Sequence, residues 1–265
     1  GQAIFEGMKA YKLQSGEISI FRADKNFNRF NISAERMAMP TISEEIFMQG
    51  ICSLIELDKK WVPEGKDFSL YIRPVMFATD DKLGVRASSS YKFAVLTNPS
   101  GPYYSKPLKV KIETHYTRAD EGGVGFAKTA GNYGRSLYTF AQAQKEGFDQ
   151  LIWTDAKEHK YIEESGTANV MFVINNVLVT PALSGTILDG VTRDTVITLA
   201  KHLGYTVEER KIAVSEVLDK IKSGELTEAF AVGTAATVTQ IGEIGFEDQL
   251  YTIPAERIIS THIHK

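Results

Sequence analysis

The segment best suited to chemistry is a small-residue stretch with a single lysine. It covers residues 122–134, and Lys128 lies in it between Ala127 and Thr129. Most lysines occupy charged or hydrated surroundings, whereas the neighbours of this one are small and largely apolar. Poor hydration favours the neutral amine, which is the nucleophilic form of a lysine. The alternative is a flexible surface loop, because short motifs match by chance often.

The same stretch comes close to the P-loop that binds nucleotide phosphates. Ala127 stands where that loop needs glycine, and its Cβ would occupy space that the phosphate requires. The preceding strand pattern ends near Thr114 and does not run directly into Gly122. A dinucleotide fingerprint fits worse, because Lys128 replaces its third glycine. A non-enzymatic nucleotide- or phosphate-binding module therefore stays open as the alternative from another functional class.

Three later segments could support a reaction at Lys128. Glu164 precedes a small-residue turn and an apolar strand pattern. Gly190-Val191-Thr192 opens a predicted helix, whose unpaired N–H groups and positive dipole end can bind a phosphate. Gly233-Thr234-Ala235 follows another strand pattern and could form a second backbone nest for an anion. Each segment alone has an ordinary structural explanation, and it is the ordered set that indicates a function.

Composition limits the class of protein. The 265 residues are 43% hydrophobic and 24% charged, which suits a large core in one or two domains. A net charge of −3 without a basic stripe argues against nucleic acid as a partner. No apolar run approaches the roughly 20 residues of a membrane span, so we expect no membrane partner and a cytoplasmic location. We expect Cys52 to be a small buried hydrophobe, and the histidines predict no metal site.

Periodicity predicts the elements that position these residues. Alternating apolar residues predict a hairpin from strands at residues 4–11 and 18–21, followed by a helix capped by Asp24 and another after Ser43 that turns Phe47, Ile51 and Leu54 inward. Further strands are predicted at residues 68–77, 91–97, 110–114, 150–154, 170–174, 177–180, 206–210, 228–232 and 238–241. Helices are predicted after Tyr133, Thr192 and Val214. The mixture predicts an α+β fold.

A cluster of chain breakers at residues 98–102 divides the sequence. Two prolines in this cluster oppose helix, which makes it the best domain boundary. We therefore expect a small α/β domain over residues 1–97, a linker over residues 98–107, and a larger mixed α/β domain over residues 108–265. The chain begins inside an apolar strand pattern without an initiator methionine, so we expect that it is a fragment truncated at the front.

Taken together, these segments resemble the fold-type IV enzymes that depend on pyridoxal 5′-phosphate (PLP), the class IV aminotransferases, and most closely the branched-chain aminotransferase family. The resemblance covers nearly the full length. It rests on Phe5-Glu6-Gly7-Met8-Lys9-Ala10, Asn26-Phe27-Asn28-Arg29-Phe30, Tyr71-Ile72-Arg73-Pro74, Gly101-Pro102-Tyr103, Lys128-Thr129-Ala130-Gly131-Asn132-Tyr133, the segment of Glu164, Gly190-Val191-Thr192-Arg193 and Gly233-Thr234-Ala235. Together these motifs are highly specific, although none would suffice alone.

The resemblance implies a role for each cofactor-binding residue. Lys128 would form the covalent link to PLP, Tyr133 would bond the phenolic oxygen, and Glu164 would hold the pyridine nitrogen. A carboxylate there keeps the nitrogen protonated, so the ring can accept the electrons left on the substrate Cα. Arg29 matches the phosphate-binding arginine, whose guanidinium fork suits a dianion better than an ammonium group does. The other implied phosphate donors are Val191, Thr192 and Thr234.

The resemblance also implies transamination between branched-chain L-amino acids and 2-oxoglutarate, in a homodimer. The implied substrate-binding residues are Phe5, Tyr71, Arg73, Thr167 and Ala235. Arg73 would meet the second carboxylate of glutamate or 2-oxoglutarate, although Tyr71 and Arg73 could instead be a structural strand pair. Within the family, a D-amino-acid aminotransferase and an aminodeoxychorismate lyase are the alternatives. Ala236 and Thr239 stand where the mitochondrial branch carries a Cys-x-x-Cys pair, so we expect no thiol switch.

Overall fold

The computed structural model describes residues 1–65, 67–101, 106–235 and 237–264, and the chain divides into two compact units. Unit 1 comprises Gly1–Tyr103 and Ala127–Gly131, and unit 2 comprises Tyr104–Phe126 and Asn132–Lys265. The segment around Lys128, which the sequence assigns to the larger domain, groups with unit 1. The predicted boundaries remain predictions, because residues 102–105 of the expected linker, and with them most of the Gly101-Pro102-Tyr103 motif, lie outside the described residues, as does Ala236.

Unit 1 contains a five-stranded antiparallel sheet in its described part. Its strands are β1 (Ala3–Phe5), β2 (Met8–Lys12), β3 (Ile18–Ile20), β4 (Ser69–Ala78) and β5 (Tyr91–Ser100). The central strand β4 pairs with β1 and β2 along one edge and with β5 along the other, while β3 extends the sheet beyond β2. The strands predicted at residues 68–77 and 91–97 are thus confirmed.

The predicted single strand over residues 4–11 is wrong, because it is interrupted at Glu6 and Gly7. Phe5 pairs with Val75 and Met8 pairs with Ile72, so β1 and β2 follow β4 in one continuous register on either side of the break. Opposite the break lies Pro74, which has no N–H group to donate to a ladder. Its carbonyl still accepts the Glu6 N–H at 2.8 Å. The break occurs where the partner strand cannot complete the hydrogen-bond pattern.

Two helices, α1 (Ala23–Arg36) and α2 (Glu44–Asp58), cover one face of this sheet, and a 3₁₀ turn at Lys59–Trp61 follows them. The N-cap of α1 is Arg22, in a left-handed conformation with φ 50°, so the predicted cap at Asp24 is wrong. The helix begins two residues earlier than predicted, and Asp24 lies in its first turn near the positive dipole end. Ser43 caps α2 as expected, accepting the Ile46 N–H at 3.3 Å.

The inward face of α2 differs from the prediction at two positions. Phe47 and Ile51 are buried as expected, but Ile55 is the next buried residue and Leu54 is only half-buried. Cys52 is exposed, so its expected burial is wrong. Residues four apart share a helix face, whereas the residue following Ile51 is rotated by about 100° away from it.

Unit 2 contains a nine-stranded mixed sheet in its described part. Its strands are β6 (Leu108–Glu113), β7 (Gln150–Thr154), β8 (Ile162–Ser165), β9 (Ala168–Ile174), β10 (Val177–Pro181), β11 (Val207–Arg210), β12 (Leu226–Gly233), β13 (Thr237–Phe246) and β14 (Gln249–Thr252). The order is β11-β10-β9-β12-β13-β6-β7-β8, with β14 beside β13. Because β8 also pairs with β9, six of these strands close into a barrel.

The helices of the second half are α3 (Ala130–Lys145), α4 (Val191–His202), α5 (Val214–Lys222) and α6 (Ile259–His264). The predicted helices correspond to α3, α4 and α5. α3 starts at Ala130, three residues before Tyr133. Apolar side chains such as Val110, Val170 and Phe172 fill one core, and a second core of unit 2 packs α4 and α6 against the other face of the sheet.

Helices and mixed sheets occur together in the fold, as the sequence predicts. Among the described residues, parallel pairing is confined to β10–β11, β6–β13 and β6–β7, and the other strand pairs are antiparallel. Over the described part of the chain, no helix combines the length and the apolar character needed to cross a membrane.

Candidate active site

Backbone hydrogen bonds hold Lys128 within unit 1. The Phe5 N–H donates to the Lys128 carbonyl at 3.1 Å, and the Lys128 N–H donates to Ser33 Oγ at 2.8 Å. Thr129 continues the attachment, because it forms an isolated bridge with Ile4 and its hydroxyl donates to the Ala3 carbonyl at 2.8 Å. The lysine is therefore fixed beside β1 on one side and α1 on the other, unlike a loose surface loop.

The side chain of Lys128 is half-buried against an aromatic ring. Its Nζ lies 4.8 Å from the centroid of the Phe5 ring, and Arg73 Cζ lies 4.6 Å from the same centroid. Aromatic faces attract cations while excluding water from one side of them. Phe5 thus provides the two cations with a shared apolar contact, which is the kind of neighbour that the composition of the lysine segment predicts.

Tyr71 and Arg73 lie two residues apart on β4 and interact directly. Arg73 Nη2 donates to Tyr71 Oη at 2.8 Å, and its Cζ lies 5.2 Å from the centroid of the tyrosine ring. Both side chains are half-buried, whereas Ile72 and Pro74 between and after them are buried. Strand alternation therefore turns Tyr71 and Arg73 away from the helix-covered core of unit 1. Gly7 admits the tyrosine, since an added Cβ would lie 2.1 Å from Tyr71 Oη.

Arg29 forms a buried ion pair that the sequence prediction missed. Its Nε donates to Glu6 Oε1 and its Nη2 donates to Glu6 Oε2, both at 2.8 Å. Asn26, one turn before Arg29 in α1, donates to Glu6 Oε2 at 2.7 Å, and the Gly7 N–H donates to the same oxygen at 3.1 Å. The side chain of Glu6 is fully buried. Together these partners provide both carboxylate oxygens with donors.

The charge of Glu6 is maintained in spite of its burial. Burial alone would raise the pKa of the Glu6 carboxyl, but the charge and hydrogen bonds of Arg29, the charge of Lys128 and the Asn26 amide outweigh it, and the pKa is lowered. A signal for Glu6 was present in the sequence. Alternation of side chains over residues 4–8 places Glu6 on the same face as Ile4 and Met8. The pattern therefore puts a carboxylate on the apolar face.

In unit 2, Glu164 is buried in β8 and held by two groups. Its Oε1 accepts the Leu188 N–H at 2.6 Å and lies 3.3 Å from Arg118 Nη2. Arg118 is itself buried, and its Nη2 also donates to the carbonyls of Gly125, at 3.2 Å, and Thr186. An adjacent guanidinium and a backbone donor favour the ionised form of a carboxyl. Arg118 was missed by the sequence prediction, since nothing local links it to Glu164.

The neighbouring Glu163 is in a different electrostatic setting. Burial raises the pKa of the Glu163 carboxyl, and the charges of Glu164 and Asp155 add to the increase, while a hydrogen bond from Thr186 and the charge of Arg118 oppose it. Thr186 Oγ1 donates to Glu163 Oε1 at 2.5 Å, and Oε2 has no hydrogen-bond partner among the described residues.

The start of α4 lies close to Asn169 on β9. The Asn169 amide donates to the Leu188 carbonyl at 2.9 Å, and an added Cβ at Gly190 would lie 2.0 Å from Asn169 Oδ1. Asn169 also faces Glu164 across β8–β9 and Val232 across β9–β12. Within unit 2, this arrangement brings Glu164, the first turn of α4 and the end of β12 around one asparagine.

The remaining predicted residues of unit 2 lie at or near these elements. In the first turn of α4, Val191 is buried and Thr192 is half-buried. Between β12 and β13, Thr234 is half-buried and Ala235 is exposed. Thr167 is exposed in the β8–β9 turn, and Tyr133 is half-buried in the first turn of α3. Glycine at position 190 leaves the helix start without a side-chain cap. The start of α4 therefore offers backbone N–H groups suited to an anion.

The sequence and fold are similar to those of characterised proteins. The chain is 50% identical over 248 residues to a branched-chain-amino-acid transaminase of Bacillus subtilis, covering 92% of this chain and 70% of that protein. Its fold is similar to that of a branched-chain aminotransferase from Thermoproteus uzoniensis solved with norvaline, with a TM-score of 0.83 and 26% identity over 99% of this chain and 82% of that one.

A second solved structure also covers nearly the whole chain. It is the T.th. branched-chain amino acid aminotransferase with pyridoxamine 5′-phosphate, with a TM-score of 0.81 and 25% identity over 99% of this chain and 82% of that one. These likenesses confirm the predicted α+β, fold-type IV architecture. Residues 3–244 match the family described as amino-transferase class IV. This match, with the half-identical relative, establishes that the chain belongs to the class IV aminotransferase family.

Proposed function

We propose that this protein transfers amino groups between the branched-chain L-amino acids leucine, isoleucine and valine and 2-oxoglutarate, with PLP as cofactor. Support comes from the family, from relatives of about half identity that carry this activity in their names, and from a similar structure with pyridoxamine 5′-phosphate. The observation that carries the proposal is the setting of Lys128, which is held by its backbone beside Arg29 of α1 and packs its amine against Phe5.

The residues present fit PLP. Glu164 is a buried carboxylate already supplied with a backbone donor and a guanidinium, which suits a protonated ring nitrogen. The glycine start of α4 and the β12–β13 turn suit a phosphate. We assign the phosphate to Arg29, Val191, Thr192 and Thr234, and the phenolic oxygen to Tyr133. When bound, PLP supplies an electron sink for the substrate Cα.

Lys128 has two tasks in this proposal. Its amine would hold the cofactor covalently, and once free it would act as the base that takes the proton from the substrate Cα and as the acid that gives it back. Both tasks need a neutral amine for part of the cycle. The amine lies 4.8 Å from the centroid of the Phe5 ring, which limits access of water from that side.

The substrate-facing residues divide by polarity. Phe5, Tyr71 and Tyr133 would contact an aliphatic side chain. Arg73 would bind the second carboxylate of glutamate or 2-oxoglutarate, since its Nε is buried and has no hydrogen-bond partner among the described residues. Thr167, Thr234 and Ala235 would bind the α-carboxylate through hydroxyl and N–H groups. Partial burial of the Arg73 guanidinium against two aromatic rings costs free energy unless an anion also binds it.

The proposal has three further parts. The homodimer follows from the resemblance, the division into domains at residues 98–107 follows from the chain breakers there, and the cytoplasmic location follows from the pattern of the sequence. A homodimer predicts twice the mass of the chain by sedimentation equilibrium, and a monomer at working concentration would contradict it. The cytoplasmic location stays a prediction.

The test of the proposed function is the visible absorption spectrum of the protein with PLP, before and after L-leucine. We expect a band from covalently bound cofactor that disappears as the cofactor accepts the amino group. A band that responds to D-alanine and not to L-leucine would favour a D-amino-acid aminotransferase. A colourless protein that binds ATP would overturn the proposal in favour of the nucleotide-binding alternative.

A further inference from the structure

A buried carboxylate next to the cofactor-binding residues of unit 1 has no role in the function proposed above. Glu6 is fully buried and is bonded to Arg29 through both carboxylate oxygens. Removing an unpaired carboxylate from water is costly, so a core carboxylate persists where its partners satisfy it. Here the partners include Arg29, which we assign to the phosphate, and Lys128, whose charge favours ionised Glu6.

The geometry of the pair determines which part of Arg29 can reach a ligand. Nε and Nη2 form one edge of the planar guanidinium, and both are bonded to Glu6. This fork-to-fork contact fixes the plane of the group and directs its other edge away from the carboxylate. Asn26 holds the carboxylate from the same helix, at 2.7 Å, so the orientation does not depend on Arg29 alone.

The same cluster is linked to the lysine through the backbone. Ser33 Oγ accepts the Lys128 N–H at 2.8 Å and donates to the Arg29 carbonyl at 2.9 Å. Arg29 and Lys128 are therefore attached to one turn of α1. Glu6 is bonded to Arg29 and directly follows Phe5, whose N–H donates to the Lys128 carbonyl at 3.1 Å and whose ring centroid lies 4.8 Å from Lys128 Nζ.

We propose that Glu6 is a positioning residue for the cofactor: it orients Arg29 for the phosphate and places a fixed negative charge near the nitrogen of Lys128. This inference rests on the proposed function. The proposal makes two separable predictions. The orientation of Arg29 depends on the length of the side chain that carries the carboxylate, whereas the electrostatic effect on the nitrogen of Lys128 depends only on the charge.

The test compares Glu6→Gln and Glu6→Asp with the wild-type chain, in two measurements on the PLP-bound protein. The first is the PLP dissociation constant from absorbance or fluorescence titration. The second is the pH midpoint of the change in the visible band, which reports protonation of the nitrogen contributed by Lys128. Glu35→Gln is the matched control, since Glu35 is an exposed residue on α1.

Both Glu6 variants should bind PLP about tenfold more weakly or worse, as expected when a buried charge-assisted contact is lost. Only Glu6→Gln should lower the pH midpoint, by about one unit, because removing an anion destabilises a nearby protonated nitrogen. Glu6→Asp keeps the charge and should keep the midpoint. If Glu6→Gln does not fold, the combination in Glu6→Asp of weaker binding and an unchanged midpoint still supports the proposal.

Unchanged or tighter PLP binding in the Glu6 variants would overturn the proposal. Tighter binding is the result expected if Glu6 merely neutralised Arg29. A double variant, Glu6→Gln with Arg29→Gln, should bind PLP no more weakly than Arg29→Gln alone, because Glu6 then has nothing to orient. Wild-type protein that shows no band with PLP would overturn the proposed function instead, so the two failures are distinguishable.

Discussion

At the scale of the residue, the candidate site depends on charged groups whose surroundings differ sharply over short distances. Glu6 is buried with a lowered pKa, because Arg29, Lys128 and Asn26 offset its desolvation. Glu163 is also buried, but its pKa is raised, because its partners do not offset desolvation. The number and charge of the donors, and not burial itself, decide whether a core carboxylate stays ionised.

Lys128→Ala should remove the covalent visible band and reduce transamination about a thousandfold or more, because both the link to the cofactor and the proton transfer are lost. Absorbance and steady-state rates measure this. Lys145→Ala, at an exposed lysine in the last turn of α3, is the control and should behave as wild type. Retention of the band in Lys128→Ala would mean that another amine forms the link.

Glu163→Gln should change the pH dependence of stability. A carboxyl with a raised pKa in the folded state contributes its full stability below its unfolded pKa and loses it as pH rises through its folded pKa. The side chain of Glu163→Gln cannot ionise. The free energy of unfolding of the variant, relative to that of the wild type, should therefore increase from acidic to neutral pH. Urea denaturation at both pH values measures the difference, with exposed Glu121→Gln as control. An equal difference at both values would contradict the prediction.

At the scale of the element, a distant carboxylate secures the last helix of unit 2. Glu228 on β12 is buried, and its Oε1 accepts the Ile258 and Ile259 N–H groups at 2.9 and 2.8 Å. Its Oε2 accepts the Ser260 N–H at 3.0 Å and the Ser260 hydroxyl. α6 is too short to be stable alone, so this cap supplies what helix propensity cannot.

Glu228→Ala should lower the free energy of unfolding by about 3 kcal/mol, because several buried donors lose their acceptor together. It should also speed hydrogen exchange at the amides of α6. The control is Glu256→Ala, at an exposed glutamate just before the helix. If both variants unfold at the same urea concentration, the carboxylate of Glu228 is not the cap that stabilises α6.

At the scale of the whole molecule, ligand binding should be visible as stability. PLP at a hundredfold excess over its dissociation constant should raise the free energy of unfolding by about 2.7 kcal/mol, provided that the unfolded chain does not bind it. Thermal unfolding with and without PLP measures this. Pyridoxal, which lacks the phosphate, should stabilise less because Arg29 then has no dianion to bind. Equal midpoints with and without PLP would contradict the proposed cofactor.

Much of this protein could be predicted from local sequence. The strands at residues 150–154 and 170–174 follow from periodicity, and the start of α2 follows from its cap at Ser43, because both signals act over a few neighbouring residues. The small apolar neighbours of Lys128 indicated a functional amine. The errors were also local. Asp24 lies inside α1, whose cap is two residues earlier, and Cys52 is exposed because it is rotated away from the buried face of α2.

Tertiary structure decided the pairings that give these residues their properties. Glu6 reaches Arg29 across 23 residues of sequence and Glu228 reaches Ser260 across 32, and neither distance has a local signal. Arg118 meets Glu164, from β8, only in the folded chain. Sequence by itself determined the periodicity and the family motifs, and it singled out Lys128 as the candidate lysine. The tertiary structure decided which charged groups come into contact, through the register of the strands and the closure of the barrel. The contacts that determine the ionisation of a carboxyl group come from residues far apart in the chain.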